Sequence, residues 1–219
     1  MTSPQAFRIT AALALGLVLP GAALAEELSV NPDTGNSGFS AVFDAALGER
    51  INAVSSTVGC EVTYDEKTAL ASGRCSVPLG SIRVDNDDTK SDHFRQWATN
   101  KKSDPSKCSL EAVFTGVKLG TLAPETPAPF TAQIPFTVCG RGRTDGGKEK
   151  VTGTALLFPP GAYGDKKTIR IRATVLEFNR DAYQIGPKYT DGWVARVQSL
   201  AKVVAEKGTI DLSLFAKVK

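Results

Sequence analysis

One imidazole is present, His93, in the run Asp92-His93-Phe94-Arg95, where a carboxylate and a guanidinium stand close by in sequence. Such a group can move a proton or hold the polar end of a ligand. Nucleophilic catalysis would also need an activated hydroxyl or thiol. The chain has no Gly-x-Ser-x-Gly elbow, and no thiol remains once its four cysteines pair. His93 therefore reads as a hydrogen-bonded helix residue near the mouth of a binding site, and the chain as a non-enzyme without catalytic residues.

Cys60, Cys75, Cys108 and Cys139 carry the other candidate chemistry. They contain no C-x-x-C knuckle, so a metal site is the weaker reading and neither metal nor cofactor is expected. Three disulfide pairings exist in principle. Strands over Gly59 to Tyr64 and Ala71 to Leu79 around the turn Asp65-Glu66-Lys67-Thr68 favour Cys60 with Cys75, a register that sets Glu61 opposite Arg74. Strands over Ser109 to Val117 and Phe130 to Cys139, around a proline-rich turn at 123–127, place Cys108 and Cys139 at the open end of a second hairpin.

Two charge runs remain. Asp85-Asn86-Asp87-Asp88 invites calcium, but Lys90 and Gln96 stand where an EF-hand loop needs glycine and glutamate, so the run reads as helix-entry chemistry. Arg141, Arg143, Lys148 and Lys150 bracket a Gly-Gly turn and read as a solvated hairpin tip, available for transient contact with a membrane surface. A formal charge of only +3 gives no reason to expect a nucleic-acid partner.

The elements that position these residues are mostly strands. Ile169, Ile171, Ala173 and Val175 alternate with polar neighbours, as do Ile210, Leu212, Leu214, Ala216 and Val218. Phe130, Ala132, Ile134, Phe136 and Val138 repeat the period, and Val62 and Tyr64 stand beside Val77 and Leu79. Gly38 to Ala45 and Val151 to Phe158 add shorter strands. About eight antiparallel strands with one dry face each suit a closed barrel or a sandwich. Two short helices interrupt them. One follows a Thr89/Asp92 capping box; the other carries Trp193, Val197, Leu200, Ala201 and Val204 at helical spacing.

Residues 1–25 have the form of an export signal: Arg8, the apolar run Ile9 to Leu19, and Ala23-Leu24-Ala25 before Glu26. The expected address is the periplasm, with secretion as the alternative, and an oxidising compartment agrees with disulfides. Residues 26–37 read as a flexible lead-in and 38–219 as one domain. Association of two copies through a sheet edge or the Trp193 helix is left open.

The runs Gly59-Cys-Glu-Val-Thr-Tyr-Asp65, Ala71-Ser-Gly-Arg-Cys-Ser-Val-Pro-Leu-Gly-Ser-Ile82 and Asp92 to Arg95, followed by Ile169 to Phe178 and Asn179-Arg180-Asp181-Ala182-Tyr183, resemble in order and spacing the YceI family of exported lipid-binding proteins. The similarity runs from about Phe39 to Val218. It implies an all-β fold, an antiparallel lipocalin-like β-barrel holding a polyisoprenoid or other long-chain lipid as carrier or store. The two cysteine pairs, Ser91 in place of an acidic residue, and the helix after Thr190 depart from the family pattern.

Small residues among large ones on the apolar faces could leave a channel suited to a slender hydrocarbon; a barrel filled by its own side chains is the competing expectation. Phe130, Ile134, Phe136, Ile169, Ile171, Val175, Val62, Tyr64 and Val77 are the expected lining, with His93 near the mouth.

Overall fold

The computed structural model describes residues 25–162, 164–190 and 204–219. The chain forms β1 (Glu26–Val30), β2 (Gly38–Ala45), β3 (Arg50–Ser55), β4 (Gly59–Asp65), β5 (Leu70–Pro78) and β6 (Arg83–Val84). Helix α1 (Asp88–Thr99) follows, then β7 (Ser109–Lys118), β8 (Ala128–Ile134), β9 (Phe136–Val138), β10 (Glu149–Phe158) and β11 (Thr168–Asn179). A single turn α2 (Pro187–Thr190) precedes the last strand, β12 (Val204–Val218). The ladders are antiparallel, and the apolar alternation of each strand turns its dry side to one core.

β12 organises the sheet. One edge pairs with β11 from Lys207 to Lys217, while the other pairs with β2 as far as Ser213 and with β1 from Lys217 onward. The sheet forks between those two partners. Phe215, in the gap, has its amide hydrogen-bonded by Ser37 Oγ at 3.1 Å instead of by a strand. From β1 the path continues through β4, β5 and β7 to β9; from β11 it continues through β10 to β8. The two ends of the path, β8 and β9, are consecutive in the chain and separated only by Pro135.

That proline corrects the sequence reading. Phe130 to Cys139 was expected as one arm of a hairpin with β7, but Pro135 has no amide to donate and the ladder breaks there. Before it β8 pairs with β10; after it β9 pairs with β7. The period-2 alternation survives the break, so Phe130, Ile134, Phe136 and Val138 are all buried.

Other expectations also change. The segment 26–37 supplies β1, five residues paired along β4, so its first half is a sheet strand and not a loose lead-in. Helix α1 is capped by Asp87, whose carboxylate accepts from the Lys90 amide, and not by Thr89. Ser91 is fully buried, accepting from the Val84 amide at 2.9 Å and donating to the Asp87 carbonyl, so a hydroxyl locks the helix entry to β6. The export segment up to residue 24 and the helix from Trp193 lie outside the described residues, while Val204, assigned to that helix, belongs to β12.

Candidate functional site

Both expected disulfides form, Cys60–Cys75 and Cys108–Cys139. Cys60 lies opposite Cys75 and Glu61 opposite Arg74, as the hairpin reading required. The charges choose other partners. Arg74 reaches Glu111 on β7 at 2.5 Å, and Glu61 pairs with Lys219. The Cys60–Cys75 bridge stands on the buried side of its hairpin, in line with Val30 and Ala112, and forms part of the apolar wall.

The inward side chains form rows across the ladders. At one end Leu157 lies beside Ile169 and Ala216, and in the next row Ala128, Ala155, Ile171 and Leu214 face one another. The third row runs through Phe130, Gly153, Ala173, Leu212 and Phe39; the fourth through Ala132, Val151, Val175, Ile210 and Ala41. From the other side of the sheet Leu28, Val62 and Gly73 face Phe114, while Tyr64 lies beside Ala71. Nine expected lining residues, Phe130, Ile134, Phe136, Ile169, Ile171, Val175, Val62, Tyr64 and Val77, thus join one apolar cluster, Ile171 only partly buried.

Two aromatic rings lie against the wall over glycines. A Cβ on Gly153 would come within 2.8 Å of the Phe130 ring, and one on Gly208 within 2.5 Å of the Phe43 ring. A side chain at either glycine would also meet a backbone carbonyl, that of Arg172 or of Val42, so both positions need glycine for the ring and strand to lie this close.

Under α1 the interior ends in a polar clasp. Glu149 has the same strand parity as Val151 and Ala155, so its carboxylate is buried, 3% exposed. The Tyr183 hydroxyl donates to Oε1 at 2.8 Å and the Arg143 guanidinium donates to it at 2.8 Å. Arg143 also grips Asp145 through two bonds, and these carboxylates hold its guanidinium protonated well above the usual range. Burial, then the bond to Glu149, raises the Tyr183 phenol above its ordinary value. The Tyr183 ring stacks on Phe178 with centroids 4.9 Å apart, and Phe178 contacts Phe43 and Phe136. Arg141 donates to the carbonyls of Ala98 and Tyr183, joining α1 to this layer. Arg180 donates to the carbonyls of Ile185, Val204 and Ala205, and desolvation lowers its pKa.

This clasp was missed in the sequence, although an acidic residue at an inward position of β10 was a visible signal. It also corrects the reading of the basic run. Arg141 and Arg143 are half-buried and held by oxygens, so only Lys148 and Lys150 remain exposed at that tip. At the opposite end Tyr64 is buried beneath Lys167, which bridges Glu26 and Glu66; burial is the largest cause raising the Tyr64 phenol, and Glu66 adds to it.

His93 does not meet the nine lining residues. It is exposed on α1, stacked on Trp97 at 6.0 Å between centroids, while Asp92 is engaged by Arg95 at 2.5 Å. A helix exposes one face, and His93 falls on it.

Two hollows stand out among the described residues. One of about 550 Å³ lies where the chain enters β2, beside the end of β3, lined by Ser37, Ser55, Ser56, Ser81 and Arg83 among others. The second, about 430 Å³, adjoins it through Gly38 and Ser213 and extends over β11 to Arg170 and Arg172. Neither is lined by any of the nine interior residues.

No family model matches the chain, and no curated protein does. Among solved structures, a polyisoprenoid-binding domain from Saccharophagus degradans, implicated in plant cell wall breakdown, shares the fold with a TM-score of 0.58. The alignment covers 90% of this chain and 99% of that one at 12% identity. The likeness is one of fold, and it is the YceI-like fold that the sequence resemblance implied.

Proposed function

We propose that this protein is an exported lipid-binding protein that holds a polyisoprenoid or similarly long apolar chain within its sheet, as carrier or store. In this reading β8 and β9 act as one strand, and the sheet wraps into a lipocalin-like barrel of eight strands, with β2, β3 and β6 as a side branch. The observation that carries it is the single apolar interior, in which the Phe130 and Phe43 rings lie on glycines along the wall. The fold shared with a polyisoprenoid-binding domain supports it. An extended hydrocarbon gains about 25 cal/mol per Å² of apolar surface buried and asks for few polar partners. Binding without catalysis agrees with the exposed position of His93 and the engagement of Asp92. Two disulfides suit an oxidising compartment such as the periplasm.

A second reading, a barrel filled by its own side chains, is favoured by one observation: both hollows are lined by residues outside the nine. One experiment separates the two. Protein purified under native conditions is extracted with organic solvent, and delipidated protein is titrated with a long-chain isoprenoid alcohol. The carrier reading expects a co-purifying lipid and saturable uptake near one molecule per chain; a clean extract without uptake leaves the filled barrel.

A further inference from the structure

The outer face of the sheet contains a set of hydrogen-bond donors that the interior does not use. Arg170 and Arg172 stand two residues apart on the same side of β11, about 6–7 Å along the strand. Neither forms an ion pair among the described residues. Other described arginines reach an oxygen: Arg74, Arg83 and Arg95 find carboxylates, and Arg141 and Arg180 find main-chain carbonyls. Arg170 instead lies over the Phe215 ring at 5.1 Å, and its Nε is a buried side-chain nitrogen without an acceptor. Leaving such a donor unmatched is costly, and the partner that the other N–H groups of this guanidinium also lack among the described residues is an oxygen.

The surroundings suit a ligand that brings it. Arg172 lies opposite Ser213 on β12, and Ser213 lies opposite Gly38 on β2, next to Ser40. Among the described residues the hydroxyls of Ser40 and Ser213 form no hydrogen bond, and a Cβ on Gly38 would meet nothing nearer than 3.9 Å. These groups line the hollow of about 430 Å³, within the range of small-ligand sites. Asp211, in the same hollow, accepts from Thr174 at 2.6 Å.

We propose that this cleft on β2, β12 and β11 binds a phosphoryl group, with Arg170 and Arg172 as its guanidinium donors and Ser40 and Ser213 as its hydroxyl donors. Two guanidiniums spaced along a strand match a tetrahedral oxyanion, whose oxygens diverge, better than a planar carboxylate, which one guanidinium already satisfies. The source is a soluble phosphate ester or the phosphate of a lipid headgroup. The site is independent of what the interior holds.

Titration with inorganic phosphate, followed by amide and arginine Nε–H resonances against chloride at equal ionic strength, tests it. Saturable shifts centred on Arg170, Arg172 and Ser213 are expected, with affinity at least tenfold weaker in Arg170→Gln/Arg172→Gln. Ser213→Asp, which places a carboxylate opposite Arg172, is expected to block binding with both guanidiniums retained. In a second arm, vesicles of phosphatidylglycerol and of phosphatidylcholine are sedimented with the protein. Retention on the anionic vesicles that the double variant loses assigns the headgroup; phosphate binding without retention assigns a soluble ester. Shifts that do not saturate, or that match between wild type and variants, together with equal behaviour on both vesicles, overturn the proposal. Lipid extraction from the interior is expected to be unchanged in these variants, so this outcome is read apart from the carrier reading.

Discussion

Under α1 the rows of the interior finish on Ile134, Glu149 and Phe178, with Tyr183 stacked behind and Arg143 and Arg141 tying the layer together. At the far end they finish on Leu157, Ile169 and Ala216, with Ala128 and Ala155 next in line and Lys167 bridging Glu26 and Glu66 nearby. The first end joins bulky rings to a buried carboxylate that needs every one of its donors. The second mixes aliphatic side chains with alanines and has no aromatic ring in these rows, and its ion pairs are partly solvated, where they contribute little to stability. The clasped end ties rings and charges into one layer; under the carrier reading proposed above, the other end is where a chain would enter.

Three substitutions sharpen or break that contrast. Arg143→Met strands the Glu149 carboxylate in the core and is expected to destabilise by about 3–5 kcal/mol, read from urea unfolding, because a buried charge loses its counter-ion. Lipid uptake by the remaining folded protein is expected to persist; a variant as stable as wild type removes the clasp from the argument. Tyr183→Phe deletes one donor to the same carboxylate while Arg143 stays, and the expected cost is about 1.5–3 kcal/mol by the same measurement. At the other end, Ala155→Leu adds three carbons to a fully buried wall position between Ala128 and Ile171, expected to cost about 1–3 kcal/mol. Its diagnostic effect is on uptake: isoprenoid binding falls at least tenfold with a cooperative unfolding transition retained. Equal uptake by Ala155→Leu and wild type would place the ligand elsewhere or nowhere.

The sequence was most legible where the constraint was local. The register of β4 on β5 follows from a four-residue turn between two alternating strands, and it set Cys60 opposite Cys75. Parity along β11 and β12 placed Ile169, Val175, Ile210 and Leu214 inside, because a period of two leaves only two choices and polar neighbours exclude one. The bulge between Val175 and Phe178 was not visible that way; it leaves Leu176 and Glu177 exposed and returns Phe178 to the core.

What the chain alone determined is therefore strand character, the inward or outward sense of most side chains, and the Cys60–Cys75 disulfide, since each rests on a repeat of two residues or on segments joined by a nearby turn; Cys108–Cys139 forms as expected, but across β7 and β9 and not at the end of one unbroken hairpin. Tertiary structure decided which remote edge each strand meets. It divided Phe130 to Val138 at Pro135 between β10 and β7, forked the sheet at Ser213, recruited Glu26–Val30 as a strand, and turned His93 outward while burying Glu149. Such choices depend on competition among edges and donors far apart in the chain, and a repeat of two residues carries no information about a partner a hundred residues away.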